Sequence, residues 1–126
     1  MNQTVIIRLL EKLGCTANLA QNGRMAVQMA LATDYDLILM DYHMPEMNGA
    51  DATIAIRAAT IGRKRLPIIA LTASVMEWEQ SRCIQAGMDD FLAKPVRLLD
   101  LEEVLSKWTA ATSIAVGRDV RTRGRE

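Results

Sequence analysis

Neither sign of charge predominates in this chain: lysine plus arginine and aspartate plus glutamate number 15 each, for a formal net charge of +0. That balance excludes a global attraction to nucleic acid or to an anionic membrane surface. Cysteine is also scarce. Cys15 and Cys83 stand alone, at neither metal-ligand nor redox-pair spacing, and read as packing thiols in a reducing compartment. No apolar run approaches the roughly 18 residues of a membrane span, and no secretory leader is visible. The expected location is therefore cytoplasmic.

What is present is ordinary globular material. Half of the 126 residues are hydrophobic and 24% are charged, which suits one domain with a sizeable core and is too little for two. The acids sit mostly in the centre and the arginines gather towards the end. The stretch over residues 36–49, DLILMDYHMPEMNG, organises the rest. Residues 37–40 read as a short strand of a parallel sheet, apolar because both faces are covered. That strand delivers one carboxylate, Asp41, to a loop. Pro45 and the Asn48-Gly49 pair then break the strand and allow a tight approach to the next helix.

The chain alternates helix and strand on both sides of this stretch. Val5, Ile6, Leu9, Leu10 and Leu13 recur at helical spacing, with Gly14 as the stop. A weak strand over 15–20 follows, then a helix over 24–32 with Met25, Ala26, Met29 and Ala30 inward. After the central strand, 50–60 is helical and 66–71 is a buried strand ending in Thr72, with Pro67 tolerated near its start. A helix over 75–85 carries Glu77 and Glu79 as an acidic outer face. Residues 90–93 form a short strand closed by Lys94-Pro95. The stripe Leu98, Leu101, Leu105 and Trp108 marks a last helix from 98 to about 111. This order predicts an α/β fold, a doubly wound parallel sheet in a three-layer sandwich with right-handed crossovers.

Asp41, Thr72 and Lys94 terminate three successive core strands. On a parallel sheet such ends share one rim, so a carboxylate, a hydroxyl and an ammonium face a common space. A carboxylate there can attack a phosphorus centre while the hydroxyl and ammonium hold the phosphoryl oxygens. Each residue alone also has a plain structural reading: a loop cap, a turn residue and a solvated lysine before proline.

The pieces NQTVIIRLLEKLG, AQNGRMAV, YDLILMDYHMPEMNG, LPIIALTA and AGMDDFLAKPV together resemble the receiver domain of bacterial two-component response regulators. The likeness is greatest to the receivers of hybrid histidine kinases, and it covers the chain from Asn2 to about Trp108. The resemblance implies a flavodoxin-like receiver fold in which Asp41 is the phosphoacceptor. Thr72 matches the switch hydroxyl, Lys94 the phosphoryl-binding ammonium, and Phe91 the aromatic ring that moves with the switch. His43 matches the position whose backbone carbonyl ligates a divalent ion, so its imidazole is expected neither to donate phosphoryl nor to bind metal.

The resemblance also implies a difference. The family opens with a hydrophobic strand ending in two acids that hold Mg²⁺, and this sequence starts a few residues beyond them, at MNQTV. In the family's strand order that strand is central. The expectation is a receiver over residues 1–111 with an incomplete or rearranged first strand, and with Mg²⁺ binding weak or lost. Residues 112–126 form a basic tail. Within it 112–117 can be a strand that fills the vacant slot, which would bring Asp119 near the emptied acid pocket as a metal ligand. A swapped or partner-supplied element, or a truncated chain with a loose tail, remain as alternatives.

Two functions follow from the resemblance. One is a signalling module that accepts a phosphoryl group on Asp41 from a histidine kinase or phosphotransfer protein, with at most weak self-dephosphorylation, and then switches its protein contacts. The other is a pseudo-receiver that is not phosphorylated and acts by protein interaction or dimerisation, as a homodimer or strand-swapped dimer. A small flavin-binding fold is disfavoured, because no phosphate-cradling loop follows any strand.

Overall fold

A computed structural model describes residues 3–44, 46–63, 65–72, 77–108 and 113–117. Helices and strands alternate as α1 (Gln3–Lys12), β1 (Thr16–Ala20), α2 (Gly23–Ala32), β2 (Leu37–Asp41) and α3 (Gly49–Ala59). They continue as β3 (Ile68–Thr72), α4 (Glu77–Ala86), β4 (Asp90–Ala93), α5 (Leu98–Trp108) and β5 (Ser113–Gly117).

Local chemistry fixes the element starts nearest the central loop. Asn22 caps α2 by accepting the Met25 N–H at 2.8 Å, and Asn48 caps α3 by accepting the Asp51 N–H at 2.8 Å. Each satisfies a backbone donor that the first helical turn leaves without a partner. Asp51 adds negative charge in the first turn of α3, where the helix dipole favours it.

The strands form one sheet in the order β1-β5-β2-β3-β4, and every pairing is parallel. Successive residues of β2 serve opposite faces. Leu37 and Leu39 pack with Ile6 and Leu10 of α1 and Leu101 and Leu105 of α5. Ile38 and Met40 pack with Ala26 of α2, Ile56 of α3 and Cys83 of α4. Two helical layers therefore enclose the sheet, and β2 and β3 are buried along their whole length.

β5 comes last among the described strands and lies second in the sheet. Ile114 stands opposite both Ala17 of β1 and Leu37 of β2, and Gly117 opposite both Ala20 and Met40. Val116 is 0% exposed and belongs to the layer with α1 and α5. The strand that separates β1 from β2 thus comes from the segment after α5.

Two side chains lie elsewhere than the sequence pattern predicts. Met25 is exposed rather than inward, and Val27 joins the α2 core stripe beside Ala26, Met29 and Ala30. Glu79 is buried, not on an outer acidic face. No helix among the described residues is long and apolar enough to cross a membrane.

Candidate functional site

The sheet register brings three strand ends together. Asp41 stands opposite Leu71, the residue before Thr72, and Thr72 stands opposite Ala93, the residue before Lys94. Neighbouring parallel strands run about 4.8 Å apart, so these three residues step along one rim of the sheet. The backbone reinforces the step, because the Lys94 N–H donates to the Thr72 carbonyl at 2.9 Å.

Asp41 and Lys94 are in direct contact. The Lys94 ammonium donates to Asp41 Oδ2 at 2.6 Å. Asp41 is only 2% exposed, whereas the lysine side chain keeps 32% of its surface in solvent. A buried carboxylate needs a charged or hydrogen-bonding partner of this kind. The pair therefore presents a nucleophilic oxygen beside a cation that solvent and a charged ligand can reach.

The loop after Asp41 is held by Gly49. Its N–H donates to the Tyr42 carbonyl at 2.7 Å. A Cβ at this position would lie 2.4 Å from the Asp41 carbonyl oxygen, so only glycine lets α3 start this close to the acceptor strand. Tyr42 continues the alternation of β2 into the layer of α2, α3 and α4, and its ring meets those of His43 and Trp78 edge-on at 4.8 and 6.5 Å.

Thr72 has a partner that the sequence pattern did not single out. Its hydroxyl donates to Glu79 Oε2 at 3.0 Å, and Glu79 is 2% exposed. The other oxygen of Glu79 lies 3.7 Å from His43 Nε2, at a ring that is 69% exposed. One signal was present in the sequence: Glu77 and Glu79 are two apart and cannot share a face of one helix. The carboxylate also acts on Cys83, one turn further along α4. Burial first, and the Glu79 charge second, push that thiol up to about 11 against the opposing pull of Arg82. It is a packing thiol with no thiolate character at neutral pH.

Phe91 is half-buried on β4 opposite Ala70, against the layer that holds α4. His43 projects its imidazole into solvent. Asp119 lies outside the described residues. Among the described residues, no three histidine, cysteine, aspartate or glutamate side chains gather as a metal centre. Mg²⁺ asks for near-octahedral oxygen donors, commonly one or two carboxylates with waters. The described carboxylates at this rim are Asp41 and Glu79, which also bond Lys94 and Thr72.

Comparison with known proteins places this architecture. A family model for the response regulator receiver domain matches residues 1–106. Hybrid signal transduction histidine kinase G of Dictyostelium discoideum is 44% identical over 114 residues, covering 89% of this chain and 3% of that protein. Sensor protein GacS of Pseudomonas syringae pv. syringae is 42% identical over 110 residues, covering 86% of this chain and 12% of that protein. The chain thus spans a small part of either relative.

Among solved structures, the receiver domain of sensor histidine kinase PA1611 from Pseudomonas aeruginosa PAO1 superposes with a TM-score of 0.77 at 43% identity. The match covers 85% of this chain and 87% of that one, which was crystallised with a magnesium ion in its active-site cleft. A co-crystal of the Saccharomyces cerevisiae phosphotransfer protein Ypd1 with the receiver domain of Ssk1 matches with a TM-score of 0.79 at 29% identity. That likeness covers 85% of this chain and 80% of the matched chain.

Proposed function

The chain belongs to the response regulator receiver family, and from that premise we propose that Asp41 accepts a phosphoryl group from a phosphohistidine of a histidine kinase or phosphotransfer protein. The single observation that carries this reading is the 2.6 Å contact of the Lys94 ammonium with Asp41 Oδ2 at the sheet rim. An oxygen of Asp41 attacks phosphorus as the phosphorus–nitrogen bond of the donor breaks, and its electron pair leaves with the imidazole. Lys94 then shifts from the carboxylate to a phosphoryl oxygen, so the same cation serves before and after transfer. Thr72 supplies a hydroxyl to another phosphoryl oxygen, and Phe91 follows its movement as a packing group without a phenolic hydrogen bond. The changed face then alters the contacts of the module with other proteins.

Magnesium, when bound, would neutralise charge on the phosphoryl oxygens. The candidates to hold it here are the Asp41 carboxylate and the His43 backbone carbonyl, with Asp119 as a third, two residues past the end of β5. We infer that so few donors bind the ion weakly. Asp119→Asn weakens Mg²⁺ binding if that residue takes part, and identical titrations remove it.

The same small donor set favours a second reading, a pseudo-receiver that acts by protein interaction. A homodimer, including one that exchanges β5 between copies, is the assembly that reading predicts. A small phosphodonor such as acetyl phosphate, supplied with Mg²⁺, decides between the two. One phosphoryl mass on the chain, absent from Asp41→Asn, supports the acceptor reading. An adduct that persists in Asp41→Asn ends the assignment of the acceptor, and no adduct at any Mg²⁺ concentration favours the pseudo-receiver.

A further inference from the structure

We propose that Glu79 is a positioning residue that holds the Thr72 hydroxyl on α4, so that the hydroxyl must change partner before it can bind a phosphoryl oxygen. The inference rests on the reading of Asp41 as acceptor and deepens it, because it names a group that sets how readily the site takes its phosphoryl group.

A threonine hydroxyl has one hydrogen to donate. Here it points to Glu79 Oε2 at 3.0 Å. Both ends of this bond are buried, with Thr72 5% and Glu79 2% exposed. A hydrogen bond to an ionised carboxylate is about twice as strong as a neutral one, and water cannot readily replace it at this depth.

Strand alternation explains the direction. Thr72 shares its face of β3 with Ala70, which packs in the layer containing Cys83 and Ala86 of α4. Asp41 follows Leu39, which packs in the opposite layer with α1 and α5. The hydroxyl and the acceptor carboxylate thus start on different faces of the sheet, and Glu79 lies on the side of the hydroxyl. Transfer of the hydroxyl to a phosphoryl oxygen gives up one charge-assisted bond for another. The resting side of that exchange is set by Glu79.

Glu79 also carries negative charge near an anionic ligand, and a double-mutant cycle separates that effect from the hold on the hydroxyl. The whole chain is incubated with acetyl phosphate and Mg²⁺, and the rate of phosphorylation is read by mass spectrometry. Glu79→Met removes the acceptor and keeps the volume; Glu79→Gln keeps a weaker, neutral acceptor. With Thr72 in place, Glu79→Met is expected to raise the rate about tenfold, the scale of one charged hydrogen bond, with Glu79→Gln in between. In a Thr72→Val background both changes at position 79 are expected to have less than about a twofold effect. An equal rise in both backgrounds would mean that charge alone is at work and overturns the proposal, as does no rise with Thr72 present. If no variant takes a phosphoryl group, the acceptor reading has failed, and the Thr72 hydroxyl proton decides what remains. Slow exchange that is lost in Glu79→Met upholds the hold on the hydroxyl, and equal exchange in both ends it.

Discussion

Met40, the residue before the candidate phosphoacceptor, stands directly opposite Gly117, the last residue of β5. A segment that follows every other described element therefore forms one wall of the strand that presents Asp41. The backbone of β2 is paired on that side by β5 and on the other by β3, and without β5 its donors and acceptors would have to find other partners.

Val116 is a sensitive point of this arrangement. It is fully buried between the sheet and the layer of α1 and α5. Val116→Asp places a charge there with no partner and is expected to cost at least about 3 kcal/mol, a large share of the roughly 5–15 kcal/mol that holds a domain folded. Urea denaturation followed by circular dichroism measures it. A chain ended after Trp108 is expected to lose the cooperative transition altogether; a transition unchanged in midpoint would show that β5 is dispensable.

Lys94 and Asp41 respond unequally to neutralisation. Lys94→Met leaves a buried carboxylate without its ammonium, at an expected cost of about 1–3 kcal/mol, moderated because the lysine side is open to solvent. Asp41→Asn leaves an ammonium that can turn to water and is expected to cost less. Comparison of the two denaturation midpoints checks the order, and both variants are expected to lose phosphorylation at position 41.

Asp90 gives a signature in acid. Burial disfavours its charge, but hydrogen bonds from the Trp108 indole and the Phe91 N–H, together with the Lys107 ammonium, outweigh burial and hold its pKa below the ordinary 3.8. A carboxyl lowered on folding adds stability above its unfolded pKa, and that contribution fades as pH falls through the folded one. The stability gap between wild type and Asp90→Asn is therefore expected to be constant from neutral pH to about 5 and to close below 3.8. Unfolding free energies measured across that range test it; a gap unchanged at pH 2 would refute it.

The parts of this molecule that were legible in sequence are those where one local rule suffices. The runs LILM and IIAL before Asp41 and Thr72 are apolar at every position, as strands covered on both faces must be. Asn22 and Asn48 announce their helices through cap chemistry that needs no distant partner. Glu79 was misjudged because its burial depends on Thr72, seven residues back on another element, and a carboxylate is normally read as solvent-facing. Met25 failed for the converse reason, since a small helix stripe of alanines and Val27 already fills the space against α3. Ile114, Ala115 and Val116 suggest a strand by composition alone. Their place between β1 and β2 is a pairing across most of the chain, and no local pattern encodes it.

That pairing also sets the order in which the molecule can be completed. Among the described elements, β1 and the β2-β3-β4 unit are joined only through β5, the last of them in chain order. Closure depends on contacts between distant parts of the chain, a topology that slows folding. Among the described strands, the one added last in sequence is thus the keystone of the sheet.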